Sequence, residues 1–220
     1  GYRVGAAKVD ITGPFVGAST GYSSPGDQMA GLAMRLFART FVIEEDVAQG
    51  RRVAIVTADM LHLDQSVKMG VVKALAEDGY GALFDTNNVL MAATHTHAAP
   101  SNISWYTLFN LFNGVTGFDA LHYRLVVRGI ARSIEQAHDA RRPAVVKLAS
   151  GALEGATANR SRAAFDLNVD ATVADVDTTM TVLRFDADDG TPLGMLSWFG
   201  VHGTSLGIDN RCIHGDNKDY

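Results

Sequence analysis

Hydrophobic and polar residues follow distinct spacings in successive stretches of this chain. Residues 3–12 alternate weakly and stop at a Gly-Pro pair, which predicts a short first strand. An apolar and aromatic stretch from 32 to 45 predicts a long second strand, and the β-branched stretch 52–58 predicts a third. Residues 19–31, between the first two strands, are rich in Gly, Ser and Pro and are long for a simple connection, which is typical of a functional loop.

The next stretch changes to helical spacing. Asp64 or Ser66 can cap a helix that ends near Gly79. Its apolar positions are Val67, Val71, Ala74 and Leu75. Residues 88–94 then predict another strand, so that strand 52–58, the helix and this strand form a βαβ unit. We expect its two strands to be parallel and its crossover to be right-handed.

A second helix begins after Asp119 and ends before Pro143, with apolar residues repeating on one face. Residues 144–150 predict a further strand, and the polar residues 157–178 predict a loop.

The strongest hairpin signal is Asp188-Asp189-Gly190, with alternating residues on both sides, at 179–186 and 193–201. Strands and helices in this order predict an α/β fold in which a mixed β-sheet is flanked by helices. No stretch has the composition of an interdomain linker.

Two histidines one residue apart, His95 and His97, follow the apolar residues 89–93. Such an apolar run is expected of a strand buried on both faces, and α/β proteins place their chemistry where such strands leave the sheet. The predicted strand 193–201 also runs out into a histidine, His202. Imidazole is a common metal ligand, and a catalytic zinc site typically has three protein ligands and an open position. Histidines at two strand ends therefore indicate a candidate metal site.

The histidines also have plainer interpretations, because an isolated His-x-His is equally typical of hydrogen-bonded residues at a strand end. Asp59 ends another strand and could be a ligand, a partner of an imidazole N–H or a helix cap; we favour the structural or supporting roles. His62 lies between two leucines and is interpreted as a non-ligand, whereas His122 and His138 are solvated or packed helix residues. Nothing in the spacing of His214 demands a metal role.

Residues 100–118 are rich in aromatic side chains. They fit either buried core or the wall of a pocket for an apolar ligand, and core is the commoner explanation. Arg160 lies in the predicted polar loop, where it is either solvated or, in a metal hydrolase, a group that orients a substrate oxygen.

Composition narrows the class of protein. The 220 residues, 47% of them hydrophobic, can form a substantial core, and no run of about 18 apolar residues is present to span a bilayer. The formal charge of -5 is scattered and includes no basic stripe, so nucleic acid is a poor partner. Cys212 is the single cysteine, which excludes an internal disulfide. Motifs typical of dinucleotide binding, P-loops and serine hydrolases are missing from the sequence.

Ala93-Thr-His-Thr-His-Ala-Ala-Pro100 resembles a motif of the neutral ceramidase family, the neutral/alkaline non-lysosomal ceramidases. Other stretches agree with that family in order and position along the whole chain. They are Gly5-Ala-Ala-Lys-Val-Asp-Ile-Thr-Gly-Pro14, Gly21-Tyr22, Leu36-Phe-Ala-Arg-Thr-Phe41, Thr57-Ala-Asp59, Trp105-Tyr-Thr-Leu-Phe109, Asn159-Arg-Ser161, Ser197-Trp-Phe-Gly-Val-His202 and Gly215-Asp-Asn217. The ordered set is far more specific than any one motif.

The resemblance implies a zinc-dependent amidohydrolase that cleaves the N-acyl bond of ceramide to sphingosine and a fatty acid. By motif, His95 and His202 would be zinc ligands, His97 would contact substrate or stabilise the developing oxyanion, and Arg160 would line the substrate site. The aromatic segment would suit lipid chains, and contact with a membrane surface is compatible with such a substrate. We also expect a secreted or periplasmic location.

Family members are much longer, and their remaining zinc ligands, a glutamate and a tyrosine, and a serine lie beyond the point that matches Tyr220. We therefore expect residues 1–220 to be the N-terminal part of a larger catalytic domain. The family also has Ser-Gly-Pro where this chain has Ala98-Ala99-Pro100. This departure motivates an alternative, a zinc hydrolase of another N-acyl amide or ester. A second alternative is a truncated, non-catalytic module that binds zinc or lipid.

Overall fold

The computed structural model describes all residues except 16, 20, 23–27, 101, 113–116, 169–173 and 217–220. The chain divides into two compact units, the first made of Gly1–Pro143 and Gly203–Tyr220 and the second of Ala144–His202. The elements are β1 (Tyr2–Asp10), β2 (Gly31–Leu32), β3 (Phe37–Glu45), β4 (Arg52–Ala58), α1 (Gln65–Glu77), β5 (Val89–Ala93), α2 (Thr107–Phe112), α3 (Ala120–Asp139), β6 (Arg142–Ala152), α4 (Arg162–Phe165), β7 (Thr179–Ala187), β8 (Pro192–Trp198) and β9 (Cys212–Ile213).

The first unit contains a mixed sheet with the strand order β5-β4-β3-β1. β3 is antiparallel to both β1 and β4, whereas β4 and β5 are parallel. The parallel pair with α1 between its strands confirms the predicted βαβ arrangement. A separate parallel pair, β2 with β9, joins residues near 31 to residues near 212.

Helices pack on this sheet because their apolar residues recur on one face of each helix. α3 packs on β1 and β3 and also contacts α1. Asp64 caps α1, since its Oδ1 accepts the backbone N–H of Val67 at 3.1 Å, and Asp119 caps α3 in the same way. The four apolar positions predicted for α1 are all buried. The predicted fold class, α/β with a mixed sheet flanked by helices, is confirmed.

The second unit contains three antiparallel strands in the order β6-β7-β8. The predicted hairpin is present between β7 and β8, and Gly190 in its turn has a φ of 84°, which suits glycine. Asp186, at a register shift in β7, accepts hydrogen bonds from Lys147 and Arg184. α4 interrupts the stretch 157–178, which was expected to be loop throughout.

Two further expectations are wrong. The long strand predicted for 32–45 is broken between β2 and β3, because the backbone N–H groups of Ala33 and Met34 both turn to the carbonyl of Ile213. Residues 89–93 are not buried on both faces, since Leu90 is 50% exposed. Leu90 and Ala92 alternate onto the same face of β5, and in the described part of the first unit that face is exposed.

No helix in the described part of the chain combines the length and the apolar character that a bilayer crossing requires.

Gly5 allows β1 to lie directly against the end of α3. A Cβ at this position would lie 1.9 Å from the carbonyl oxygen of Ala137, a backbone atom that cannot move aside cheaply. We expect Gly5→Ala to lower the free energy of unfolding by at least ~2 kcal/mol, because the strand must separate from the helix. Urea unfolding measures the change. Gly151→Ala is the control, since no atom lies within 4 Å of its Cβ, and a loss of stability there above ~0.5 kcal/mol would contradict the steric explanation.

Candidate functional site

The loop that carries the two histidines, residues 94–98, is called the histidine loop. It begins where β5 ends and runs beside the end of β4. The backbone N–H of Thr94 donates to the carbonyl of Ala58 at 2.9 Å, and that of His95 donates to Met60 at 3.0 Å. The loop therefore starts at the carboxyl ends of two parallel strands, where α/β proteins commonly place functional groups.

His95 has an unusual backbone and a defined ring orientation. Its φ of 63° lies in the left-handed region, which residues with a Cβ rarely adopt and which is often found at functional sites. Its Nδ1 lies 3.0 Å from the carbonyl oxygen of Leu61. Because a carbonyl can only accept, Nδ1 carries the proton and the lone pair is on Nε2. This arrangement, in which one ring nitrogen donates to a carbonyl, is typical of metal-ligating histidines.

His97 lies beside His95 and is buried, with 3% of its surface exposed. The two rings are 4.8 Å apart and nearly perpendicular, and their ligand nitrogens lie within 4.8 Å of one another. The Tyr22 ring packs edge-on against His97 at 4.7 Å. Gly21, with a φ of 101°, makes room on the same ring, because a Cβ there would lie 2.5 Å from it. The predicted pair is thus brought together, and the Gly21-Tyr22 loop belongs to its surroundings.

Asp216 holds this loop from another part of the chain. Its buried carboxylate accepts the backbone N–H of His97 at 3.2 Å and those of Ser205 and Leu206 at 2.7 and 3.3 Å. Sequence reasoning did not assign Asp216 a role. The only signal was its place in the family-like triplet at 215–217, because a carboxylate that binds distant backbone groups has no characteristic spacing.

His214 adds two backbone links to the histidine loop. Its N–H donates to the carbonyl of Ala98 at 2.9 Å, and its carbonyl accepts from the hydroxyl of Thr96 at 2.9 Å. Its Nδ1 accepts the N–H of Asp216 at 2.9 Å, so this nitrogen is engaged within the chain.

His202 and Arg160 belong to the second unit. His202 is an exposed residue that follows β8, and Arg160 is exposed in the turn before α4. That turn is shaped by Asn159, whose side-chain oxygen accepts the N–H of Ser161 at 2.8 Å. The ligand role of His202 and the substrate role of Arg160 stay predictions, as do the roles of His95 and His97.

The remaining polar candidates have structural surroundings. Asp59 is fully buried and forms an ion pair with Arg39, at 2.7 and 2.9 Å to Nη1, and also accepts the N–H of Phe37. This agrees with the structural role favoured for it. The His62 ring packs edge-on against Phe109 at 4.7 Å. His122 is fully buried in α3.

Several of the described aromatic and apolar side chains that follow the loop are exposed in the first unit. Trp105 is 62% exposed and Tyr106 is 51% exposed, so the core interpretation is wrong for these two residues. Leu108 in α2 is 68% exposed, and Phe118 packs against Trp105 with a ring distance of 6.2 Å. The segment therefore presents apolar surface close in sequence to the histidine loop.

The fold and the loop define an α/β protein with a histidine pair at the carboxyl ends of its parallel strands. Comparison with known protein families identifies the family within this class. The chain belongs to the neutral/alkaline non-lysosomal ceramidase family, whose N-terminal model matches residues 2–220. The resemblance seen in the sequence is confirmed.

Curated relatives and solved structures agree with this assignment. The neutral ceramidase of Pseudomonas aeruginosa is 40% identical over 222 residues, which cover 100% of this chain and 32% of the relative. The neutral ceramidase of Mycobacterium tuberculosis is 38% identical over 223 residues, covering 99% and 34%. A crystal structure of the Pseudomonas aeruginosa neutral ceramidase matches with a TM-score of 0.90 and 40% identity, covering 99% of this chain and 34% of that one. The chain thus spans about a third of the length of these relatives.

The buried His122 generates a prediction about pH. Burial lowers the pKa of His122 to about 4, against an ordinary value of 6.5. As the pH falls from 6.5 to about 4, the unfolded chain binds a proton that the folded chain does not bind, so stability is lost over that window. The loss amounts to about 3 kcal/mol. We expect the unfolding free energy of the wild type to fall by about that much more than that of His122→Gln between pH 7 and pH 4. Parallel pH profiles for the two proteins would contradict the assignment.

Proposed function

We propose that the native protein is a zinc-dependent amidohydrolase that cleaves the N-acyl bond of ceramide, releasing sphingosine and a fatty acid. The observation that carries the proposal is the family match over residues 2–220, together with relatives named neutral ceramidase at 33 to 40% identity. The family assignment supplies the reaction class. The side chains of the histidine loop supply the physical basis for the roles that follow.

The loop fits a zinc ion. His95 has the tautomer that a ligand needs, because its Nδ1–H donates to Leu61 and its lone pair is on Nε2. We assign His95 and His202 as ligands, on the motifs that this chain has in common with the family. A glutamate and a tyrosine in the part of the family's length that these residues do not cover would complete the set. When bound, zinc supplies a Lewis acid and lowers the pKa of a bound water to about 7.

His97 is proposed to contact the substrate oxygen. A ring nitrogen that donates to this oxygen stabilises the negative charge that develops there as the amide is attacked. Burial of His97 strengthens such an interaction, because fewer water dipoles screen it. Its position is fixed by Asp216 at the backbone and by Gly21 and Tyr22 at the ring. A donor that is already oriented needs no reorganisation when charge develops.

Arg160 is proposed to bind an oxygen of the substrate. Its exposed guanidinium carries several N–H donors in one plane, which suits a hydroxyl or carbonyl group. The exposed apolar side chains of Trp105, Tyr106, Leu108, Phe109, Phe118 and Leu121 would contact the lipid chains or the membrane surface that delivers them. A secreted or periplasmic location is part of the same proposal.

Ceramide is proposed in preference to the alternative substrate, another N-acyl amide or ester. That alternative came from Ala98 and Ala99, which replace family residues beside the proposed metal site. Both side chains are buried with 1% of their surface exposed, and Ala99 belongs to the core of the first unit. Methyl groups packed in this way do not select a substrate directly.

The test uses the native full-length protein and ceramide with a labelled acyl chain. We expect a chelator to abolish release of the fatty acid and zinc to restore it. His95→Ala and His202→Ala should each lower activity by at least ~100-fold and weaken zinc binding, since each removes a ligand. Zinc content and initial rates measure both effects.

His138→Gln is the control, because His138 lies in the last turn of α3, packed against Tyr80 and Phe84. It should keep zinc and activity. Full activity after complete zinc removal would overturn the metal role. Preferential release of fatty acid from a non-sphingolipid amide or ester would overturn the substrate.

A further inference from the structure

We propose that Asp216 is a positioning residue that holds the histidine loop, residues 94–98, against residues 205 and 206 of the same unit. This inference rests on the proposed function and adds a residue to which sequence reasoning gave no role. Asp216 acts through backbone groups and does not itself contact the reacting atoms.

The hydrogen bonds of Asp216 reach both segments. One carboxylate oxygen accepts the N–H of His97, and the other accepts those of Ser205 and Leu206. Ser205 follows His202 by three residues in the sequence. One side chain therefore links the backbone of His97, the proposed substrate-binding histidine, to the backbone at residues 205 and 206.

A buried carboxylate is energetically unfavourable unless its lost hydration is replaced. Asp216 is completely buried, and a buried ionised group loses several kcal/mol of solvation unless hydrogen bonds replace the water. Three N–H donors replace it here. Only an acceptor with two oxygens can serve donors on both sides at once, because the neutral amide of Asn presents N–H groups on one side. The three donors thus account for an acid at this position.

The backbone of Asp216 is itself held in place. Its φ of 59° lies in the left-handed region, which costs free energy in a residue other than glycine. Its N–H donates to Nδ1 of His214, and His214 in turn bonds Thr96 and Ala98. The carboxylate and the 214–216 segment therefore hold the histidine loop at three successive positions.

Tyr22 reinforces the same alignment from the other side. Its ring packs on His97, and its hydroxyl donates to the carbonyl of Leu206. Tyr22 and Asp216 thus contact the same two segments. Tyr22 packs on the ring of His97, whereas Asp216 binds the backbone of His97. A displacement of the reacting groups by about 1 Å can cost ~100-fold in rate, so loss of this alignment is expected to slow catalysis.

The experiment compares Asp216→Asn with Thr40→Val in the native full-length protein. Asn fills the same volume but can accept on only one side, so it loses the link to His97 or the link to Ser205 and Leu206. Thr40→Val removes a buried hydrogen bond to Ser133 in the same unit, 2.6 Å long, and serves as a control for lost stability.

We expect Asp216→Asn to lower kcat for ceramide by about 30-fold with KM changed less than ~3-fold, and to weaken zinc binding by about 10-fold. The backbone N–H of His97 or of Ser205 should also exchange with solvent faster. Thr40→Val should lower the melting temperature without any of these changes. Asp216→Asn with wild-type kcat and zinc affinity, or with losses no larger than those of Thr40→Val, would overturn the proposal.

Two measurements keep this inference separate from the proposed function. If the wild-type protein does not hydrolyse ceramide, the proposed function fails, and zinc affinity with amide exchange still decides the role of Asp216. If Asp216→Asn does not fold, the exchange of backbone N–H groups with solvent in the wild-type protein tests the role of Asp216. Slow exchange at both His97 and Ser205 supports the link, and exchange as fast as at an exposed loop overturns it.

Discussion

The loop at residues 94–98 depends on hydrogen bonds that reach it from two sides. On one side, backbone carbonyls at the end of β4 and just beyond it accept the N–H groups of Thr94 and His95. On the other side, the buried carboxylate of Asp216 accepts the N–H of His97. Together they account for a histidine pair whose rings lie 4.8 Å apart.

These bonds also explain how an unfavourable backbone persists. The left-handed conformation of His95 costs of order 1–3 kcal/mol, and it is retained only when its surroundings allow no other arrangement. Its N–H and its ring nitrogen both bond to the segment directly after β4, at Met60 and Leu61. The outcome is a ring with a defined tautomer, which is the property that a metal ligand needs.

Local features of the fold were predictable from the sequence, because their causes are local. The cap at Asp64 follows from residues within a few positions of each other, and the βαβ order follows from the local patterns of three successive elements. The break before β3 was not predictable, since it depends on the distant carbonyl of Ile213. Exposure of Leu90 was missed for a related reason, as burial depends on what packs against a strand and not on its own composition.

The features of the candidate site also divide into those that could be predicted from the sequence and those that could not. His95 and His97 could be identified as candidates from the motif, but the left-handed backbone of His95 and the carboxylate of Asp216 arise from contacts between distant segments. The most direct test is a crystal structure of the zinc-loaded native protein, with anomalous scattering at the zinc edge. We predict a zinc peak about 2.1 Å from Nε2 of His95, with Nδ1 still bonded to Leu61. Zinc bound through Nδ1, or a fully loaded protein with no zinc at His95, would contradict the account.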